Sequence, residues 1–172
     1  AICVENKSLR RHRVEIYRNG QRTPLYQLPS GATADLAFSP DNDLLAYVFN
    51  DDVRMVEMST GKTAGELRAH KNTIRDIEFA PDGRTLASVS NDRRLIIWDP
   101  HTGRLLWSQV AHGNRALAVA FHPRLPTLAT AGSDAIVRFW TMRDLIAGDE
   151  ARLVGEFPLD TAHPRHLKFS AG

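Results

Sequence analysis

Apolar residues in this chain come in short alternating runs, broken every few positions by turn-forming clusters; this is a strand pattern and not a helical one. The clearest unit spans residues 74–109. Ile74, Ile77 and Phe79 mark a first strand over 74–80, whose alternation slips once at Arg75–Asp76, and a β-bulge accounts for the slip. Pro81-Asp82-Gly83 supplies a turn, because proline presets its own dihedral and glycine accepts positive φ. A second strand over 85–90 is bounded by Asn91-Asp92, and a third over 94–99 is rich in β-branched residues. Residues 100–103 then turn the chain into a fourth strand over 104–109. No long segment has helical period; the insertion at 143–151 leaves room for a single helical turn.

The unit repeats. Residues 79–99, FAPDGRTLASVSNDRRLIIWD, lie over residues 121–141, FHPRLPTLATAGSDAIVRFWT. Phe79 meets Phe121, Leu86 meets Leu128, Asp92 meets Asp134 and Trp98 meets Trp140; upstream, His70 meets His112 at the same offset. An earlier copy over 38–57 aligns with one deletion after Asp51, placing Val56 opposite Trp98 and Glu57 opposite Asp99. Two partial copies flank these: 13–17 (RVEIY) resembles 94–98, and 166–170 (HLKFS) resembles 76–80. The expected units are therefore a partial blade over 1–28, blades over 33–68, 74–109 and 116–157, and the first strand of a further blade over 165–170. A period of about 42 falls in the range of four-stranded propeller blades. The expected fold class is all-β, a β-propeller of four-stranded antiparallel blades forming an incomplete ring.

Residues 67–99, with Ala69-His70 near the start and Trp98-Asp99 at the end, resemble a WD (tryptophan–aspartate) repeat. The family's Gly-His is Ala-His here at 69–70 and 111–112, and its Trp-Asp becomes Trp140-Thr141 and Val56-Glu57 in the other copies. The resemblance implies a structural tetrad of His70, Ser88, Asp92 and Trp98, and a second of His112, Thr130, Asp134 and Trp140; the earlier copy keeps Asp51 alone. In each set an indole N–H can donate to a hydroxyl, the hydroxyl to an imidazole and the imidazole to a carboxylate. The family also closes its ring with more blades, so the chain is expected to be a segment of a longer polypeptide, or to complete its ring with another one.

Composition adds bounds. The chain has 172 residues, 42% hydrophobic and 24% charged, an ordinary globular balance. A net charge of +2, with 22 basic residues mixed among 20 acidic ones, gives no argument for nucleic acid or an anionic membrane. Arg10, Arg11 and Arg13, the densest basic cluster, read as a solvated edge. Cys3 is the single cysteine, which excludes an intrachain disulfide and fits a reducing, cytoplasmic setting. No apolar run reaches the roughly 18 residues of a membrane span.

Three chemistries are considered and set aside. A Ser-His-Asp hydrolase needs an exposed serine beside an oxyanion hole, whereas Ser88 is expected mid-strand and its grouping recurs 42 residues on. Gly61-Lys62-Thr63 looks like the tail of a phosphate-binding loop, but its counterparts at 102–104 and 19–21 mark it as a hairpin turn. His163 and His166 are three apart but lack a third ligand with metal spacing; His12, His101 and His122 read as turn or surface residues. No metal, cofactor or catalytic set is expected. Tyr26 and Trp107, in similar fourth-strand places, read as packing residues.

The leading functional expectation is a protein-interaction scaffold. The family's partners dock on loops before the first strand and after the second. The matching rim here is Asn50, Asp52, Lys71, Asn72, Arg93, Asn114, Arg115, Ser133 and Ala135. Lys71, Arg93 and Arg115 make it mildly basic, which favours an acidic or phosphorylated peptide. The alternative is a sensor or regulatory propeller within a multidomain protein whose catalytic or nucleotide-binding part lies elsewhere.

Overall fold

Alternation within the strands dictates how the sheets stack, since residues one apart face opposite sides of a sheet. The computed structural model describes residues 2–6, 14–18, 26–29, 32–142, 145, 147–148 and 150–170. Among them lie strands and turns and no helix. The strands β1 (Ile2–Asn6), β2 (Val14–Arg18) and β3 (Tyr26–Gln27) form a three-stranded sheet. Three four-stranded sheets follow. The first is β4 (Ala32–Phe38), β5 (Leu44–Phe49), β6 (Asp52–Glu57) and β7 (Thr63–Leu67). The second is β8 (Ile74–Phe79), β9 (Leu86–Ser90), β10 (Arg94–Trp98) and β11 (Leu105–Val110). The third is β12 (Ala116–Phe121), β13 (Thr127–Gly132), β14 (Ile136–Thr141) and β15 (Arg152–Pro158). Each strand pairs antiparallel with its successor within its sheet, so each sheet is a meander. The first strand β8 lies against both β4 and β12, the arrangement of neighbouring propeller blades.

The core runs between blades. Ile96 and Trp98 of β10 pack toward Val48, Val53 and Met55 of the preceding blade. Leu95 and Ile97, one position out of step, pack toward Val119, Leu128 and Trp140 of the following one. Both faces of a middle strand are thus covered, which is why β9 is buried at every position and β10 from Leu95 to Trp98, with no alternation of buried and exposed residues. Burying each such Leu or Ile contributes about 1.5–3 kcal/mol. Trp107 meets Trp140 edge-on across the same seam, with ring centroids 5.7 Å apart.

The expected slip in β8 is a register shift between Ile74 and Asp76, and β12 repeats it between Ala116 and Ala118. Gly61 and Gly103 take φ of +70° and +72°, and their N–H groups donate to the carbonyls of Glu57 and Asp99. Gly61 and Lys62 thus lie in the hairpin turn between β6 and β7, and Thr63 begins β7.

Two expectations need correction. Residues 165–170 form no strand. A first strand gains its ladder from the second strand of its own blade, and no such partner is present among the described residues. Leu167 and Phe169 nevertheless pack on the face of the last sheet beside Ala118, Ala129 and Val137. In the insertion, the described residues make a turn in which the Gly148 N–H donates to the Leu145 carbonyl, and no helix. Arg143, Asp144, Ile146 and Asp149 lie outside the described residues, as do Arg10, Arg11, His12, Arg13, Asn19, Gly20 and Gln21.

Candidate functional site

The residues at matching repeat offsets meet in two networks. In the first, the Trp98 indole N–H donates to Ser88 Oγ at 2.9 Å, and Ser88 Oγ lies 2.8 Å from His70 Nε2. His70 Nδ1 lies 2.9 Å from Asp92 Oδ2, which also accepts the Lys71 N–H at 2.9 Å. Burial pushes the Asp92 carboxyl up, but the hydrogen bonds from His70 and the Lys71 N–H outweigh it and hold it at about 2. An ionised carboxylate can only accept, so Nδ1 carries the imidazole proton and Nε2 accepts from the Ser88 hydroxyl. The chain of donors then runs one way, from tryptophan to aspartate, and fixes the loop before β8 against the turn after β9.

The second network differs in its surroundings. Trp140 donates to Thr130 Oγ1 at 3.0 Å, and His112 bridges Thr130 and Asp134 at 2.9 Å each. Arg138 enters beside them: its Nη1 donates to Asp134 Oδ2 at 2.7 Å, and its Nε donates to Glu156. Burial raises the Asp134 carboxyl, but Arg138, the Gly113 N–H and His112 together hold it at about 2. Burial lowers His112; Asp134 opposes this and Arg138 adds to it, so the imidazole stays neutral at pH 7. Gly132 leaves the room the ring needs, since a Cβ there would stand 2.3 Å from His112 Nδ1. In the earlier copy Asp51 sits exposed in the turn between β5 and β6, and Val56, in the tryptophan place, is buried with Ile16, Leu28 and Leu45.

Most of the rim residues are exposed on the loops these networks hold. The Asn72 and Asn114 side chains accept the N–H of the next residue, Thr73 and Arg115. Asn50, Arg93 and Ala135 take left-handed backbone, with φ of +58°, +75° and +59°. Ser133 is half-buried and donates its N–H to the Arg115 carbonyl. Asp52 differs: it begins β6 and is ion-paired to Arg68 Nε at 3.3 Å. Lys71, Arg93 and Arg115 are exposed and make no ion pair among the described residues.

Beside this rim opens a cavity of about 690 Å³. Asn114, Arg115 and Ser133 line it from the rim, and Arg75 and Leu117 line it from β8 and β12. Sequence reasoning missed Arg75, Asn91 and Arg165 here, and weighed His163 and His166 only as metal ligands. Those two histidines and Arg165 form a wall contributed by the segment after β15. No carboxylate is in the lining. A second cavity, of about 450 Å³, lies at the turns after the first strands, where Asp82 stands with Arg84 and Arg124, so its charge is of mixed sign.

The first strands carry a further set that sequence reasoning did not single out. Asp76 accepts the Val119 N–H at 2.8 Å and Glu78 accepts the Phe121 N–H at 2.6 Å, both across to the next blade. Asp35 is hydrogen-bonded to the backbone of Ile77 in the same forward sense. Burial pushes all three up: Asp35 to about 7, with Asp76 adding to it, Asp76 to about 6 and Glu78 to about 7. The available signal was a carboxylate at alternate strand positions where the next repeat has Ala118 and Ala120.

Ser88 is fully buried between Trp98 and His70, out of reach of a substrate, so the Ser-His-Asp grouping is not arranged for nucleophilic attack. Among the described residues no group of three or more histidines, cysteines or carboxylates is placed to hold a metal. His122 Nδ1 accepts the N–H groups of Arg124 and Leu125 in a turn, and His101 is exposed in another.

A family model described as WD domain, G-beta repeat, matches residues 61–99 and 103–141. The chain is 33% identical to WD repeat and SOCS box-containing protein 1 of Takifugu rubripes over 111 residues, 61% of this chain and 25% of that protein. It is 33% identical to Protein HIR1 of Candida albicans over 146 residues, 80% of this chain and 16% of that protein. It is 34% identical to Centriole proteome protein 16 of Chlamydomonas reinhardtii over 117 residues, 66% of this chain and 5% of that protein. The chain thus spans a quarter or less of these relatives.

Proposed function

Because this chain belongs to the WD-repeat β-propeller family, whose members generally act as protein-interaction scaffolds, we propose that it is a non-catalytic docking module within a larger assembly. Residues 1–172 are read as part of one propeller domain, its ring completed by further blades of the same or another polypeptide. The observation that carries the reading is the rim. Two buried networks hold its loops rigid from beneath, while Lys71, Arg93 and Arg115 project as cations unpaired among the described residues. Such a surface suits an acidic or phosphorylated protein segment. An intracellular, cytoplasmic setting belongs to the same reading, supported by a single cysteine in 172 residues. No helix among the described residues is long and apolar enough to cross a membrane.

The test is the triple charge reversal Lys71→Glu, Arg93→Glu and Arg115→Glu in the intact protein, with partner capture scored against the parent. Loss of capture with an unchanged melting curve is expected. Undiminished capture would remove the rim from the assignment.

A second reading, a regulatory propeller joined to a separate functional part, has one observation in its favour. The matched relatives are several times longer than the matched region, and one is named for a SOCS box alongside its WD repeats. Limited proteolysis of the intact protein separates the two readings, since a regulatory propeller would be released from a distinct folded partner domain.

A further inference from the structure

We propose that the cavity of about 690 Å³ beside the rim is a phosphoryl-binding subsite, filled by a phosphorylated serine or threonine of a bound peptide. The inference rests on the interaction-module reading and deepens it; of the residues that carry it, Arg115 belongs to the rim, whereas Arg75, Arg165, His163 and His166 do not. Arg75 from β8, Arg115 from the loop before β12, and Arg165 from the segment after β15 converge on one space from three parts of the chain. His163 and His166 add ring N–H donors from the same wall. All five side chains are exposed to solvent, and none of the three arginines is ion-paired among the described residues. Two buried carboxylates feel this cluster without lining the cavity: Arg75 acts on Asp35 and His166 on Asp76.

The chemistry selects among anions. A phosphoryl monoester brings nearly two charges and three strong acceptor oxygens, enough to engage several guanidinium forks at once. A carboxylate brings one charge and two oxygens, and would leave cations unmatched. A phosphodiester has one charge per phosphorus and no amide beside it. Asn91 speaks for a peptide: it lines the cavity, and its Oδ1 is buried without a hydrogen-bond donor. An amide side chain on the cavity wall suits the peptide groups that flank a phosphorylated residue. The volume falls within the range of ligand sites and is larger than a bare phosphate needs, leaving room for the flanking residues.

The test uses the intact protein and fluorescence anisotropy with degenerate peptide pools centred on phosphoserine or phosphothreonine. Matched pools carry the unphosphorylated residue or glutamate at the centre. The phosphorylated pools are expected to bind at least about tenfold tighter than either control, and Arg75→Ala and Arg165→Ala are each expected to lose about tenfold. Asn91→Asp, which adds a negative charge without truncating a side chain, is expected to abolish the preference. Arg104→Ala, in the hairpin before β11, is expected to change nothing. The assignment is overturned by equal binding of the three pools, by a loss in Arg104→Ala matching that in Arg75→Ala, or by single-stranded DNA binding as tightly as the phosphopeptides. Capture that survives phosphatase treatment and Arg75→Ala/Arg165→Ala, but not the reversal at Lys71, Arg93 and Arg115, removes the subsite and leaves the scaffold reading standing. Phosphopeptide binding that persists in the double reversal Lys71→Glu/Arg93→Glu, which leaves Arg115 in place, keeps the subsite whatever becomes of the other two rim cations.

Discussion

Replacing Ser88 by alanine probes the first network at its centre. The hydroxyl is fully buried, donates to His70 Nε2 at 2.8 Å and accepts from the Trp98 indole at 2.9 Å. Alanine leaves almost no new space, so the cost is polar and not a cavity. One buried N–H and one buried ring nitrogen lose their partners, at about 1–3 kcal/mol each. The expected loss of stability is therefore about 2–6 kcal/mol, read from urea unfolding of the intact protein by far-ultraviolet circular dichroism. Adding Trp98→Phe removes the orphaned donor as well, so the double variant should be less destabilised than the sum of the singles, by about 1–2 kcal/mol. Thr130→Ser in the second network keeps the hydroxyl and deletes one methyl, at a cost of about 1 kcal/mol. If Ser88→Ala fell within about 0.5 kcal/mol of the parent, or the double variant were strictly additive, the directional network would be the wrong account of these blades.

Further outcomes follow from the carboxylates and from backbone geometry. Asp35, Asp76 and Glu78 have folded values of about 7, 6 and 7, above those they regain on unfolding. The stability linked to them is fullest below about 4 and is lost as pH rises through 6 to 7, so the urea midpoint should be higher at pH 5 than at pH 8. Asp76→Asn should flatten that slope, and a level profile in the parent would contradict the burial argument. Asp92 and Asp134, held at about 2, act in the opposite direction: their contribution is present above the ordinary carboxylate value and disappears as pH falls toward 2. Gly132→Ala, whose methyl would meet His112 Nδ1 at 2.3 Å and Asp134 Oδ1 at 2.7 Å, should cost about 2 kcal/mol or more in the same assay. Ala135→Gly, at φ +59°, should raise stability by up to about 0.5 kcal/mol, and a marked loss would count against the left-handed geometry there.

Sequence and structure agree most closely where chemistry depends on residue identity at a fixed offset. His70, Ser88, Asp92 and Trp98 could be picked out because the same types return 42 residues later, and the strands around them follow because both blade faces must be apolar. The cavity was not legible in the same way. Arg75 and Arg165 are 90 positions apart and become neighbours only when the segment after β15 is laid beside the first strands. That placement depends on Leu167 and Phe169 finding the last sheet, a contact that no periodicity announces. The similarity of 166–170 to 76–80 suggested a strand, but the likeness records an apolar side that packs, and a ladder also requires a partner. Asp52 differs from the other rim residues for a local reason. The one-residue deletion shortens the turn, draws Asp52 into β6 and leaves it facing Arg68.

The carboxylates of the first strands give the stack of blades a polarity. Asp35 reaches from β4 to β8, and Asp76 and Glu78 reach from β8 to β12; each latch is thrown forward along the chain and none backward. At the corresponding places in β12 stand Ala118 and Ala120, which have nothing to throw. The seam beyond β12 therefore lacks this latch from its first strand, and a ring built on this series should part first at that joint.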